Sequence, residues 1–174
     1  GKTDADVIAS IKAAGLGDNL VNLGYKEHLV AIREQKNASL LILPLRKEPE
    51  YKATLPGKLF EYLASMNPIL GIGQTDGAMA SIVNSTGAGV VFGWHDLTSV
   101  SAFIDLCWKS YKSQSQAQTE DVNTDVDDIF MTEDKKEKIR QYSRKALTSR
   151  MADLLDDLTG MKKPQPKETG KSYL

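Results

Sequence analysis

The chain has 174 residues, enough for one domain, and 41% of them are hydrophobic, enough for an ordinary core. The formal net charge of −1 gives no overall positive field of the kind that attracts nucleic acid, and the single cysteine, Cys107, excludes an internal disulfide. The sequence contains no apolar run of about 18 residues, so it predicts no transmembrane helix.

Four short apolar runs predict β-strands that are buried on both faces, because each is too short for a helix and does not alternate with polar residues. The runs are Leu20–Leu23, Leu40–Leu43, Ile69–Ile72 and Val90–Phe92. Helical patterns lie before, between and after them. This alternation predicts an α/β fold of Rossmann-like type, with a parallel sheet of about four strands joined by right-handed crossovers.

The helices are predicted from apolar residues at helical spacing. Five of them are marked in turn by Val7, Ile8, Ile11 and Ala14; by Leu29 and Ile32; by Leu59, Phe60 and Leu63; by Met79, Ile82 and Val83; and by Leu97, Val100, Ile104, Cys107, Trp108 and Tyr111. One long final helix is marked by Ile139, Tyr142, Leu147, Met151, Leu154, Leu155 and Leu158. The domain is expected to cover 1–160, with a polar excursion at 113–134 and a disordered tail at 161–174.

The segment from Pro56 to Ala64 holds the charged residues of greatest interest. Pro56 suits the first turn of a helix, where its missing N–H costs nothing. Lys58 and Glu61 are three residues apart, so they are predicted to share one helix face, with Leu59, Phe60 and Leu63 turned toward a core. The segment follows a predicted strand, so its helix begins at the carboxyl edge of the sheet, where open α/β sheets bind ligands.

A nucleoside diphosphate matches the chemistry of this helix start. The first turn offers N–H groups and a partial positive charge to a phosphate. Gly57 allows a phosphate to approach the backbone, Lys58 adds a positive charge, and Glu61 can accept hydrogen bonds from two ribose hydroxyls. The other interpretation of the same spacing is a surface Lys–Glu pair on an amphipathic helix.

Several segments resemble, in order and spacing, the C-terminal domain of GT-B fold glycosyltransferases, especially family 4. They are Leu23-Gly-Tyr25, Asn37-Ala-Ser-Leu-Leu-Ile-Leu-Pro44, Pro56-Gly-Lys-Leu-Phe-Glu-Tyr-Leu-Ala64, Pro68-Ile-Leu70 and Thr86-Gly-Ala-Gly89. The segment Tyr142-Ser-Arg-Lys-Ala-Leu-Thr148 also resembles the last helix of that family. The resemblance implies a domain that binds a nucleotide sugar.

The resemblance also implies roles for particular residues. In the family, the glutamate before Tyr-Leu-Ala binds the donor ribose, which implies that role for Glu61. The adjoining helix start meets the donor diphosphate, which points to Gly57 and Lys58, and the loop after the Leu-Gly strand lies near the base, which points to Tyr25 and Lys26. A second family glutamate, eight residues earlier and near the sugar, is replaced here by Ala53.

Other polar positions leave alternatives open. Gly73, Asp76 and Gly77 form a strand-to-helix loop that either lines the sugar pocket or only turns the chain. His28 either touches a ligand or lies on a helix surface. His95 has no second ligand at metal spacing, so no metal site is expected. No cofactor is expected either, since the nucleotide sugar is a donor substrate. The sequence assigns no catalytic residue.

The leading functional hypothesis is the donor-binding half of a retaining glycosyltransferase that transfers a sugar to a glycan or lipid-linked acceptor. The alternatives are a non-catalytic nucleotide-binding or assembly domain of the same fold, and half of a nucleotide-sugar epimerase. The expected partners are a nucleotide sugar and an N-terminal domain of the same protein. Peripheral association of the full-length protein with a membrane is a further alternative. The expected location is the cytoplasm or the inner face of the membrane, and no nucleic acid is expected.

The resemblance also raises a question about the sheet, because the family's domain opens with a strand–helix–strand unit that this sequence lacks. An unpaired strand edge exposes backbone groups that invite further pairing. Either Leu20–Leu23 pairs beside Leu40–Leu43, or two copies form a homodimer that covers the exposed edge or the apolar stripe of the last helix. Within one protein, the stripe with Leu154, Leu155 and Leu158 either belongs to the domain core or docks on the N-terminal half.

Overall fold

The structure, a computed structural model, describes residues 3–117 and 132–160, with backbone alone for 114–117. The strands are β1 (Leu41–Pro44), β2 (Ile69–Ile72) and β3 (Gly89–Phe92). The helices are α1 (Ala5–Ile11), α2 (His28–Asn37), α3 (Gly57–Ser65), α4 (Ala78–Thr86), α5 (Leu97–Ala117), α6 (Glu133–Arg140) and α7 (Arg144–Thr159). Short helical turns at Lys12–Leu16, Gly17–Asn19 and Pro49–Ala53 complete the described elements.

The three strands form a parallel sheet in the order β1-β2-β3. Leu41 pairs with Ile69, and Ile69 pairs with Gly89, so β2 is the central strand. Each strand is joined to the next by one helix, α3 or α4, as parallel pairing requires. The predicted α/β class and parallel sheet are therefore confirmed, with three strands instead of about four.

Helices cover the two faces of the sheet with separate cores. On one face, α3, α4 and α6 pack against β1, β2 and β3. The buried residues there are Leu43, Leu59, Leu63, Ile69, Met79, Ala80, Val83, Ala88, Val91 and Ile139. On the other face, α5 places Phe103 and Cys107 against Leu70 and Phe92, and the Phe92 and Phe103 rings lie 5.7 Å apart. The central strand β2 is thus buried from both sides, as the sequence predicts. The same prediction is wrong for β1, an edge strand that is buried on one face only, since Ile42 is 56% exposed.

The predicted strand Leu20–Leu23 is wrong, because residues 20–27 have no regular structure. The backbone N–H of Gly24 donates to the Asn22 side-chain oxygen at 3.1 Å, and Gly24 has a φ of 64°. An Asn that bonds the backbone two residues on makes a turn, and a left-handed glycine favours that turn over an extended strand. Val21 is 77% exposed and Leu23 is also exposed, so the apolar run is not the buried strand that was expected.

The prediction of a single long helix at the end of the domain is also wrong, because two helices, α6 and α7, lie there. Ser143 stands between them and caps α7, since its hydroxyl accepts a hydrogen bond from the Ala146 N–H at 3.2 Å. Serine is favoured at this position because it satisfies an N–H that no helix carbonyl can reach. Ile139 is buried on α6, whereas no residue of α7 is buried.

The predicted stripe of α5 is correct only in part. Cys107 is buried and Val100 is half-buried, but Leu97, Ile104, Trp108 and Tyr111 are exposed, and the buried aromatic is Phe103. The sheet under α5 has only three described strands, so a narrower arc of the helix is covered than the sequence pattern implies. None of the described helices is long and apolar enough to cross a bilayer.

The predicted polar excursion lies mostly outside the described residues. At its two ends, residues 113–117 belong to α5 and residues 133–134 belong to α6. The tail 161–174 lies outside the described residues.

The thiol of Cys107 offers a test of the packing of α5. The side chain is 5% exposed, and burial raises the pKa of the thiol. The thiolate is the reactive form, so both effects slow modification. We expect an aromatic disulfide reagent at neutral pH to react slowly with the native chain and to label one thiol per chain in denaturant. Rapid labelling of the native chain would contradict the position of α5.

Candidate functional site

A groove of about 650 Å³ lies between α2, α3 and the start of α7. Its lining comes from three separated parts of the sequence: His28, Ile32, Gln35 and Lys36; Gly57, Phe60, Glu61, Ala64 and Ser65; and Tyr142, Ser143, Arg144 and Leu147. Sites for small molecules usually measure about 300–1,000 Å³ and combine an apolar lining with a few polar groups. This groove has that size and that composition.

Glu61 is the one carboxylate among the lining residues, and a neighbouring helix holds it in place. Gln35 Nε2 donates to Glu61 Oε2 at 3.0 Å. Asn67 Nδ2 donates to the backbone carbonyls of Gln35 at 2.7 Å and Lys36 at 3.0 Å, which fixes the end of α2 near the end of α3. No described residue donates a hydrogen bond to Glu61 Oε1, so this oxygen can accept one from a ligand.

The start of α3 also opens into the groove. Pro56 is the N-cap residue and Gly57 is the first residue of the helix. A Cβ added to Gly57 would meet no heavy atom within 4 Å, so a ligand can reach the backbone there. The first N–H groups of a helix have no partner within the helix, and they attract anions.

Positive charge outweighs negative charge around the groove. Lys36 and Arg144 each carry one positive charge, opposite the single negative charge of Glu61, and His28 lies at the first turn of α2. Arg144 is the first residue of α7, directly after the capping Ser143. An arginine offers a planar fork of donors that matches a phosphate or a carboxylate.

The structure brings together only part of the predicted donor site. Gly57 and Glu61 both line the groove. Lys58 is exposed and is not among the lining residues, so the shared face predicted for Lys58 and Glu61 is not the groove face. Tyr25 is 86% exposed and Lys26 is also exposed, and neither lines the groove. The roles of Lys58, Tyr25 and Lys26 stay predictions.

The loop predicted as a sugar pocket packs against the turn Pro49–Ala53. A Cβ on Gly77 would lie 2.9 Å from the Lys52 carbonyl oxygen, and a Cβ on Gly73 would lie 3.5 Å from Leu45 Cβ. Lys52 donates a hydrogen bond to Asp76, which lowers the pKa of that carboxyl. Gly73, Asp76 and Gly77 are not among the residues that line the groove.

Two aromatic residues flank Glu61. Phe60 is half-buried and packs against the core, as predicted, and it also lines the groove. Tyr62 is likewise half-buried against the core but is not among the groove lining residues. Burial raises the pKa of the Tyr62 hydroxyl, and the nearby negative charge of Glu61 raises it further.

The other histidine, His95, lies outside the groove, with its Nε2 3.5 Å from Lys47 Nζ. Within residues 3–117 and 132–160, no group of three His, Cys, Asp or Glu side chains is arranged to hold a metal ion.

Sequence reasoning did not identify Gln35, Lys36 and Arg144 as parts of the site. They lie far from Glu61 along the chain, so no sequence spacing links them to it. Only the packing of α2 and α7 brings them together with Glu61. Ser143 did carry a signal, because a serine before a helical pattern predicts an N-cap. That cap would have placed the start of α7, and with it Arg144.

The chain is thus an α/β domain with a groove of small-molecule size beside α3, the helix that joins β1 to β2. Comparisons with protein-family models, with curated proteins and with solved structures gave no match to this chain.

Proposed function

We propose that the groove binds the nucleoside diphosphate part of a nucleotide sugar, and that the chain is the donor-binding half of a retaining glycosyltransferase. One observation carries the proposal: Glu61 and the open start of α3 at Gly57 line the same groove. A carboxylate beside a helix start suits a ligand that has hydroxyls near a phosphate, as a nucleoside diphosphate has.

Glu61 acts on the ribose in this proposal. Gln35 occupies Oε2 and fixes the orientation of the carboxylate, while Oε1 is left for a ribose hydroxyl. A hydrogen bond to a charged acceptor contributes about 1.5–3 kcal/mol. Because Gln35 holds the side chain in place before the ligand arrives, less conformational entropy is lost on binding.

The diphosphate meets positive charge from two directions. The N–H groups at Gly57 contribute from α3, and the Arg144 side chain contributes from α7. In a completed enzyme, these groups would stabilise the negative charge that develops on the departing diphosphate.

A binding domain without catalysis is the second candidate function. Ala53 stands where the family has its second glutamate, and it ends the turn Pro49–Ala53. The neighbouring Glu48 and Glu50 do not line the groove. Binding is common to both candidates, so binding is the property to measure first.

Calorimetric titration with uridine diphosphate and guanosine diphosphate tests the proposal. We expect weak binding of at least one of them and a loss of affinity in Arg144→Ala of about 1 kcal/mol or more, the scale for losing a charged hydrogen bond. Lys145→Ala is the matched control, because it also removes an exposed cation from the first turn of α7 but lies outside the groove lining. If neither diphosphate binds, or if Lys145→Ala alone weakens binding, the groove is not the donor site.

A further inference from the structure

Helix α7 carries an apolar stripe that the described fold leaves uncovered. No residue of this helix is buried. The stripe consists of Leu147, Met151, Leu154, Leu155 and Leu158, whose side chains are 40%, 58%, 54%, 52% and 75% exposed. The three half-buried residues of α7, Ala146, Asp153 and Asp156, lie on a different side of the helix. The apolar side is therefore the one available for docking.

The spacing of the stripe is that of a coiled-coil seam. Leu147, Met151, Leu154 and Leu158 follow one another at intervals of four, three and four residues. In a coiled coil, alternating intervals of three and four residues place the a and d positions of each heptad on one side of the helix. A helix of 16 residues is barely stable in water without packing, so a cover over this seam would stabilise α7.

The charges beside the seam favour a second copy of this chain, running antiparallel. Arg150 and Asp157 are both exposed and lie on the same flank, each directly before a seam residue. In an antiparallel pair, like flanks face each other, so Arg150 of one copy meets Asp157 of the other. Two-fold symmetry makes this contact twice. In a parallel pair, the flank with Arg150 and Asp157 would instead face the flank of the other copy that carries Thr148 and Leu155. Neither of these residues is charged, so the charge pairing would be lost.

Arg150 can contact Asp157 of the other copy while it keeps its hydrogen bond within its own chain. Its Nη2 donates to the backbone carbonyl of Gln141, which keeps the side chain close to α7. An arginine has five N–H donors, so the remaining donors are available to a carboxylate. On the opposite flank, the apolar Leu155 widens the seam.

We propose that α7 is a self-association helix that pairs antiparallel with α7 of a second copy. Met151 then packs against Leu154 of the other copy, and Leu147 packs against Leu158 of the other copy. Because Leu147 also lines the groove, the second copy adds an apolar residue beside the site. A pair of four-turn helices makes a small interface, so we expect a dissociation constant in the micromolar range.

Sedimentation of the 174-residue chain over a dilution series from ~1 to ~100 µM tests the pairing. The mass should rise with concentration from 19.1 kDa toward twice that value. Met151→Glu with Leu154→Glu should hold it at the monomer mass, because four buried carboxylates would lie together at the centre of the seam. Leu97→Glu with Leu106→Glu is the matched control on α5, where both residues are also exposed, and it should leave association unchanged.

Charge exchange tests the antiparallel orientation. Arg150→Asp alone and Asp157→Arg alone should each weaken association about tenfold or more at low salt, because each places like charges opposite one another twice. Mixing these two variants should restore association as a heterodimer, since both contacts then join opposite charges. Circular dichroism of each variant should match that of the unaltered chain at a concentration where both are monomers, because every changed side chain is exposed.

Three outcomes would overturn the proposal. The first is a constant monomer mass up to ~100 µM for the unaltered chain. The second is a dimer that the α5 control disrupts while the α7 variants do not. The third is a dimer that forms equally well in each charge variant and in their mixture, which would leave the two copies joined through another surface.

Discussion

Replacing Gly89 with alanine should unfold the domain or cost it more than about 4 kcal/mol, a loss seen only where a buried structure is directly broken. Gly89 opens β3 and pairs with Ile69 of the central strand. A Cβ at Gly89 would lie 1.9 Å from the Ile69 carbonyl oxygen and 2.7 Å from its backbone nitrogen. These are backbone atoms of β2, so they cannot move without loss of the pairing with β1 as well.

Gly93→Ala is the control for that prediction. Gly93 follows the other end of β3, and a Cβ there would meet nothing within 4 Å. We expect this variant to unfold in urea at nearly the parent midpoint, whereas Gly89→Ala should be insoluble or should lack the far-ultraviolet signal of the folded chain. A Gly89→Ala variant as stable as Gly93→Ala would show that the register of β2 and β3 is wrong.

Replacing Glu61 with alanine should weaken nucleoside diphosphate binding by about 1–3 kcal/mol, which is roughly a 5- to 150-fold loss of affinity. The variant removes the only carboxylate among the groove lining residues and leaves Gln35 without the partner that it now donates to. Gln35→Met should give a smaller loss, because it frees the carboxylate without removing it. Glu34→Ala is the matched control, since Glu34 is an exposed carboxylate on α2 outside the groove lining.

The stability of these variants has to be compared with that of the parent before any affinity is interpreted. Glu61 is half-buried and makes one hydrogen bond to Gln35, so both substitutions change the contact between α2 and α3. Unfolding midpoints near the parent value, together with weaker binding, would assign the effect to the ligand. Unchanged affinity in Glu61→Ala would remove Glu61 from the site.

The sequence predicts most of the sheet because its strands are continuous apolar runs, of which the central one, β2, is buried from both sides and β1 from one. Leu41, Ile69 and Val91 all lie in that core. The same rule fails at Leu20–Leu23, where the Asn22 side-chain oxygen accepts a hydrogen bond from the Gly24 N–H and the chain makes a turn. An apolar pattern alone does not show that such a turn replaces a strand.

The site was predicted only where its parts are close in sequence. Gly57 and Glu61 lie on one helix, so their spacing was enough to place them at one site. Gln35 and Arg144 come from helices whose packing depends on long-range contacts, such as those of Asn67 with the end of α2. Lys58 illustrates the limit of spacing, since a residue three positions from Glu61 on the same helix lies outside the groove.

Titration with a ribonucleoside diphosphate and its 2′-deoxy analogue tests most directly whether Glu61 recognises a ribose. The parent chain should bind the ribonucleotide more tightly, by about 1 kcal/mol or more for the missing hydrogen bond to a charged oxygen. In Glu61→Ala, the two affinities should become equal, while Glu34→Ala should keep the parent preference. Equal affinities in the parent chain, or a preference that survives in Glu61→Ala, would contradict the proposed nucleotide site.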